Sequence, residues 1–309
     1  MIILTGTTGN LGSRVLKSIL ARKLIPPSQL IISTSNPDKA PDFVKESGAE
    51  IRKGDFLNPA SLVETFRGGE VLFLVSFPSP SVERWEYHRA AIDAAKVVGV
   101  KTVIYTSLMF GGETGMKSVA GVQQAHIKTV DYLVNSGLDY IVISEGIYAE
   151  SWWLYAGFLK FDRNDASKAP IEFVMPGDGE MAWVTWDDLG EATATIMANY
   201  ASRKAPPLFD VDCTIRLTGS RTATMKQVAT LLEEKSGRPV EVRIVSPEEA
   251  ARYHKERKVA SPFYIDSWSG WFSGIKGGEC AVVDPTLERI LGRKPRGIEE
   301  MADQLFGKA

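Results

Sequence analysis

The chain of 309 residues is 44% hydrophobic and 24% charged, an ordinary globular composition with length for one large domain or two unequal ones. Its 36 basic and 38 acidic side chains leave a formal charge of −2, which gives no general attraction to phosphate backbones or anionic membranes, so neither a nucleic-acid nor a membrane partner is expected. Cys213 and Cys280 are too few for a disulfide framework, Met1-Ile2-Ile3-Leu4-Thr5 has no basic flank, and no stretch has the length of a membrane span, so a reducing, cytoplasmic setting is the expectation.

In chain order, Ile2–Thr5 is a short β-rich run stopped by glycine, and Leu11–Lys23 carries Leu11, Val15, Leu16, Ile19 and Leu20 at helical spacing. Leu30–Ile32 is a second apolar run, Asp42–Ser47 a candidate helix and Glu50–Lys53 a short strand. Asn58-Pro59 reads as an N-cap followed by proline at the first helical position. Val71–Val75 reads as a buried strand, Trp85–Val98 as an alanine-rich helix, Lys101–Thr106 as a strand, Val122–Asn135 as a helix and Tyr140–Ile143 as a strand. Unbroken Val/Ile/Leu runs alternating with helices are the rhythm of a parallel sheet covered on both faces, so the fold expected is α/β, a Rossmann-type doubly wound parallel sheet. The rhythm falters after residue 148: Trp152–Phe161 is aromatic and irregular, Arg163–Pro170 is loop-like, and Thr224–Gly237, Pro247–Lys258, Asp284–Gly292 and Gly297–Phe306 close the chain, the first two as helices. The expected division is a nucleotide-binding domain of residues 1–149 plus about 181–212, and a smaller α/β part of 150–180 and 213–309 that receives the substrate.

The strongest motif is Gly6-Thr7-Thr8-Gly9-Asn10-Leu11-Gly12, a G-x-x-G-x-x-G loop between a strand and an amphipathic helix. Gly6 permits the turn, Gly9 lets backbone approach a pyrophosphate, Gly12 lets the helix pack closely, and the helix N-terminus offers free amides and its positive dipole end. Thr8, Asn10 and Leu11 complete this contact set. An NAD site places a carboxylate at the end of the second strand, whereas here Ser33-Thr34-Ser35-Asn36 stand there with Lys39 beyond, a set suited to the 2′-phosphate of NADP. Asp38 argues weakly the other way. Asp55 and Phe56, after the third strand, are candidates to meet the adenine, and Ser76 and Phe77, after the fourth, join the cofactor-facing set.

Gly6–Gly12, Gly54-Asp55-Phe56, Ile104-Tyr105-Thr106-Ser107, Ser136-Gly137-Leu138 and Gly146-Ile147-Tyr148-Ala149-Glu150 together resemble the NmrA-like family, atypical members of the short-chain dehydrogenase/reductase superfamily. The resemblance continues through Trp183-Val184-Thr185-Trp186-Asp187-Asp188-Leu189, Leu217-Thr218-Gly219 and Gly278–Pro285. It implies a Rossmann fold and NADP(H), in a family that holds quinone oxidoreductases, NADP-sensing regulators and fungal biosynthetic enzymes, among them iminium reductases of alkaloid pathways; it does not fix the reaction. Aligned on the helix after the fifth strand, the superfamily's catalytic tyrosine place falls at Val122 and its lysine place at His126. The resemblance also implies that Ser107 matches the serine at the end of the fifth strand and that His126 faces the nicotinamide ribose.

Without a tyrosine at position 122, reduction of a plain ketone loses a positioned acid worth about 10²–10⁴-fold. An iminium, a quinone or a conjugated enone needs that help less, so the expected activity is NADPH-dependent reduction of such an acceptor, in secondary metabolism. His126, with an ordinary pKa of about 6.5, is the candidate proton donor. Glu145 and Tyr148, around the end of the sixth strand, are candidates to face the substrate, Glu145 by stabilising a cation. Six of the seven tryptophans follow residue 150, and Trp152, Trp153, Trp183, Trp268 and Trp271 are read as walls for a flat, apolar small molecule. Two other readings stay open: a non-redox cyclase or isomerase that retains NADP(H), and an NADP-sensing regulator without catalysis. His88, His126 and His254 are too scattered for a metal site, so none is expected, and a monomer or homodimer is.

Overall fold

The computed structural model describes residues 1–165, 167, 169–202 and 208–307; positions 166 and 168 of the expected loop Arg163–Pro170, 203–207 of the expected first domain and 308–309 of the expected second part lie outside them. Along the chain run β1 (Ile2–Leu4), α1 (Asn10–Ala21), β2 (Leu30–Thr34), α2 (Asp42–Lys45), β3 (Glu50–Lys53), α3 (Pro59–Phe66), β4 (Val71–Leu74), α4 (Arg84–Val97), β5 (Thr102–Leu108), α5 (Gly121–Val134) and β6 (Asp139–Glu145). Then follow β7 (Ile147–Tyr148), α6 (Trp152–Tyr155), β8 (Ile171–Met175), β9 (Met181–Val184), α7 (Trp186–Ala201), β10 (Cys213–Leu217), β11 (Thr222–Ala223), α8 (Met225–Ser236), β12 (Val240–Ile244), α9 (Pro247–Glu256), α10 (Pro262–Lys276), α11 (Thr286–Leu291) and α12 (Ala302–Phe306).

These elements form two compact units: Met1–Ser107, Ala125–Glu145 and Trp186–Arg216 in the first, Leu108–Gln124, Gly146–Thr185 and Leu217–Ala309 in the second. The expected boundaries differ from these, because the chain leaves the first unit directly after Ser107 and Glu145, and because residues 213–216 return to it as part of the sheet's last strand.

The first unit is built on a seven-stranded sheet in the order β3-β2-β1-β4-β5-β6-β10, with the β1–β2, β1–β4, β2–β3 and β4–β5 pairs parallel. This is the doubly wound Rossmann order, reversing between β1 and β4. β1 and β4 are buried at every residue, which is why they read as unbroken apolar runs. Ile3, Ile31, Leu62, Phe66, Leu72, Ile92 and Leu133 pack in one core cluster; each such side chain contributes roughly 1.5–3 kcal/mol on burial. The edge strand β3 is polar and half-exposed, and Arg52 pairs there with Glu50 at 2.8 Å.

The second unit has two small sheets. β9 pairs in parallel with β7 and antiparallel with β11, and β8 pairs in parallel with β12. The expected helix Thr224–Gly237 is present as α8, with a capping box between Thr224 and Gln227 and Gly237 in the left-handed region at its end. Ser246 and Ser261 cap α9 and α10. The stretch 297–306 is helical only over Ala302–Phe306. Among the described residues, no helix is long and apolar enough to cross a membrane.

Candidate active site

Thr5 ties the ends of the two strands that flank the reversal point. Its hydroxyl donates to the Phe73 carbonyl at 3.0 Å and accepts from the Val75 N–H at 3.0 Å. Ligands of open α/β sheets bind outside the carboxyl ends of the strands at such a point. Gly6 turns the chain there with φ +68°, and a Cβ on it would lie 2.8 Å from the Val75 Cβ. A Cβ on Gly12 would lie 2.3 Å from the Gly6 carbonyl oxygen, so α1 starts in contact with the loop backbone itself rather than with the sheet.

Gly9 begins α1 in extended conformation without a side-chain cap. The amides of Asn10, Leu11 and Gly12 are therefore those that helix geometry leaves without a carbonyl, at the positive end of the dipole. Thr8, Gly9 and Asn10 are exposed, while Thr7 is buried and its Oγ1 has no hydrogen-bond partner among the described residues. A cradle that only glycine allows, a row of unsatisfied amides and an orphaned buried hydroxyl fit the diphosphate of a dinucleotide.

The neighbouring strand ends carry the other expected contacts. Ser33 is buried, Thr34 half-buried and Ser35 exposed. The Asn36 side chain accepts the Lys39 N–H at 3.3 Å, which folds Pro37–Lys39 into a tight turn with the lysine side chain exposed. Asp55 uses one carboxylate oxygen to accept the Leu57 N–H at 2.9 Å, so it closes a turn and has only its other oxygen to offer an adenine. Phe56 stacks at 5.7 Å from Phe77, which lies 4.8 Å from Tyr87.

Behind the carboxyl ends of β4, β5 and β6 lies a buried polar network. The Ser76 N–H donates to Thr106 Oγ1 at 3.0 Å, and the Phe77 N–H donates to His88 Nε2 at 2.8 Å. His88 Nδ1 is 2.8 Å from Thr129 Oγ1, whose own proton goes to the Ala125 carbonyl at 2.8 Å. The Tyr105 hydroxyl is 2.8 Å from His126 Nδ1 and 3.4 Å from His88 Nδ1. Burial first, then the charge of Arg84, pushes His88 down to about 3; burial, Arg84 and His88 hold His126 well below the ordinary imidazole range. Burial raises Tyr105 to about 12, against the lowering effect of Arg84.

One expectation is corrected here. His126 is buried and neutral, so it does not supply an imidazolium proton near neutral pH; it can donate only as a neutral N–H. Glu145 is 0% exposed, so its carboxylate stands inside the fold, where its charge bears on Tyr105. Ser107 is buried at the end of β5, and Tyr148 is half-buried in β7 of the second unit.

The aromatic expectation is corrected in part. Trp152, Trp183, Trp268 and Trp271 join one buried cluster of the second unit, while Trp153 is 43% exposed and outside it. Trp183 donates its indole N–H to the Ala223 carbonyl and Trp268 donates to the Leu154 carbonyl, each at 2.8 Å. Trp152 stacks edge-on against Phe306 at 4.9 Å. Trp183 and Trp268 are core, since buried indoles with satisfied N–H groups have nothing left to direct at a ligand, and Trp152 packs in the same cluster. Trp271 differs: its Nε1 is buried with no hydrogen-bond partner among the described residues.

Thr5, Arg84, His88, Tyr105 and Thr129 were not among the site residues expected from the sequence. His88 had one usable signal. It shares a helix face with Ala91, Ile92 and Ala95, all buried, and a histidine on an apolar face must find buried partners.

The fold and the amide-lined loop define a dinucleotide-binding protein of the Rossmann type. A family model described as NAD(P)H-binding matches residues 6–151. An NmrA-like family domain-containing oxidoreductase of Aspergillus flavus is 30% identical, over 98% of this chain and 94% of its own. The chain belongs to the NmrA-like family. Among solved structures, the NADPH-dependent quinone oxidoreductase of Escherichia coli in complex with NADPH is similar with a TM-score of 0.82 and 27% identity, covering 99% of this chain and 100% of that one. The Citrobacter triphenylmethane reductase in complex with NADP(H) follows with a TM-score of 0.81 and 25% identity, covering 98% and 99%.

Proposed function

We propose that this protein, an NADP(H)-dependent oxidoreductase, reduces a flat, activated small molecule of the quinone, iminium or enone class. When bound at the Gly6–Gly12 loop, NADPH supplies the hydride. The loop amides and Thr7 hold the diphosphate, Ser33–Asn36 and Lys39 receive the 2′-phosphate, Asp55 and Phe56 form the adenine side, and Ser76 and Phe77 complete the cofactor-facing set. Ser107 and His126 stand at the reacting end.

The observation that carries the substrate class is Val122, a buried apolar residue at the place where reductases of this superfamily hold their tyrosine. A plain ketone would be left without a phenolic acid, whereas a quinone spreads its charge and an iminium is neutralised by the hydride alone. Relatives named for reducing quinones and triphenylmethanes support the same class. We extend the proposal to a cytoplasmic role in secondary metabolism, as a monomer or homodimer. The test is a panel of a simple quinone, a cyclic enone, a cationic iminium or triphenylmethane dye and an unactivated ketone, with loss of NADPH absorbance as the readout. Turnover of the first three above the ketone is expected; no oxidation of NADPH by any of them would remove the reading.

A further inference from the structure

Tyr105 and His126 sit in a hydrogen-bond order that is set by one backbone amide. The Phe77 N–H can only donate, so His88 Nε2, 2.8 Å away, carries no proton. His88 is fully buried and neutral, so its proton is on Nδ1, facing Thr129 Oγ1 at 2.8 Å and, more weakly, the Tyr105 oxygen at 3.4 Å. Thr129 passes its own proton to the Ala125 carbonyl, and the Ser76 hydroxyl lies 3.4 Å from His88 Nε2. With the His88 Nδ1–H already facing the Tyr105 oxygen, the tyrosine proton is directed at His126 Nδ1, 2.8 Å away. A neutral histidine that accepts at Nδ1 carries its proton on Nε2. The hydrogen bond that the His126 ring makes among the described residues is the one at Nδ1, which leaves Nε2 for a ligand.

We propose that Tyr105 and His126 together deliver the proton that reduction of a carbonyl-type acceptor requires, with His126 as the catalytic donor and Tyr105 as the positioning residue behind it. This rests on the reductase reading above. Such a reduction adds one hydride, with its two electrons, at carbon and one proton at oxygen. The His126 Nε2–H bond breaks as an O–H bond forms on the acceptor. The Tyr105 O–H proton moves to Nδ1 in the same step, so the imidazole stays neutral and only its tautomer changes. The Tyr105 oxygen regains a proton from His88 Nδ1, 3.4 Å away, His88 Nε2 takes one from the Ser76 hydroxyl, 3.4 Å away, and that hydroxyl takes one from water. No group in the relay needs to exist as a free ion, which suits a site where burial disfavours both imidazolium and tyrosinate. His88 fixes the direction of the chain without touching the acceptor.

Two readouts test this, the first without turnover. The protein has three histidines, so ring-¹⁵N labelling resolves each, and single His→Gln variants assign them. His88 is expected with its proton on Nδ1 and His126 with its proton on Nε2. The second readout is Tyr105→Phe, assayed with an enone, which needs a proton, and with a cationic triphenylmethane dye, which does not. The enone kcat is expected to fall by about 10-fold or more, with the dye kcat and the NADPH Kd within about twofold. His126 protonated on Nδ1 in the unmodified protein, or equal slowing of both acceptors, overturns the relay while the reductase reading stands. If neither acceptor oxidises NADPH, the reductase reading fails and the relay fails with it.

Discussion

Gly12→Ala is the most exacting perturbation of the dinucleotide loop. The added Cβ would meet the Gly6 carbonyl oxygen at 2.3 Å and the Gly6 carbonyl carbon at 2.6 Å. That is roughly 1 Å inside ordinary contact, and both neighbours are backbone, so no side chain can swing away. Either α1 lifts from the loop or the Gly6 turn opens, at a cost of about 1–3 kcal/mol in stability. The same movement withdraws the first-turn amides from the diphosphate. Losing one charge-assisted hydrogen bond of about 1.5–3 kcal/mol weakens NADPH binding roughly 10- to 150-fold. Isothermal titration with NADPH and urea denaturation measure the two effects separately. The matched control is Gly270→Ala in α10, where an added Cβ meets nothing within 4 Å; there a gain of about 0.5–1 kcal/mol and unchanged NADPH affinity are expected. A Gly12→Ala protein with unaltered stability and unaltered NADPH Kd would refute the close-approach argument.

Lys39→Ala is expected to weaken NADPH binding about fivefold and to leave NADH binding unchanged, as suits one exposed charge worth about 1 kcal/mol, and paired titrations check it. His88→Phe removes the acceptor of the half-buried Phe77 N–H and should cost about 1–3 kcal/mol in urea denaturation. His88 is depressed to about 3 in the folded chain, so between that value and the unfolded value of about 6.5 the unfolded chain binds more protons. Stability is therefore complete above the unfolded value and is lost as pH falls through this window, by at most about 1.4 kcal/mol per pH unit from this residue. His126 is shifted in the same direction. Denaturation series at successive pH values should show the decline, and His88→Phe should flatten it; a pH-independent stability across the window would count against neutral buried histidines.

The first half of the fold was legible because its signals are local. β1, β4 and β5 are apolar runs, α1 has helical spacing, and the glycines of the loop lie between them, so the Rossmann order could be expected before any contact was known. β7, β9 and β11 were not legible: they span two to four residues each and are strands only through their partners. The tryptophans mislead for a related reason. An aromatic at position 183 or 268 reads the same whether it walls a ligand or fills a core, and only the carbonyls of Ala223 and Leu154, which take the indole protons, decide it. The buried network is the sharpest case. Phe77, His88, Tyr105, His126 and Thr129 are scattered in sequence, and each is unremarkable alone. Their order appears when β4, β5, α4 and α5 bring a backbone amide, two imidazoles and a phenol within hydrogen-bond distance.

The central claim is that the amides of residues 6–12 hold the diphosphate of an NADP(H) molecule. Titration of the purified protein with NADPH and NADH in parallel tests it most directly. One saturating site for NADPH, with NADH bound more weakly, is the predicted result; no heat and no thermal shift with either dinucleotide would contradict it.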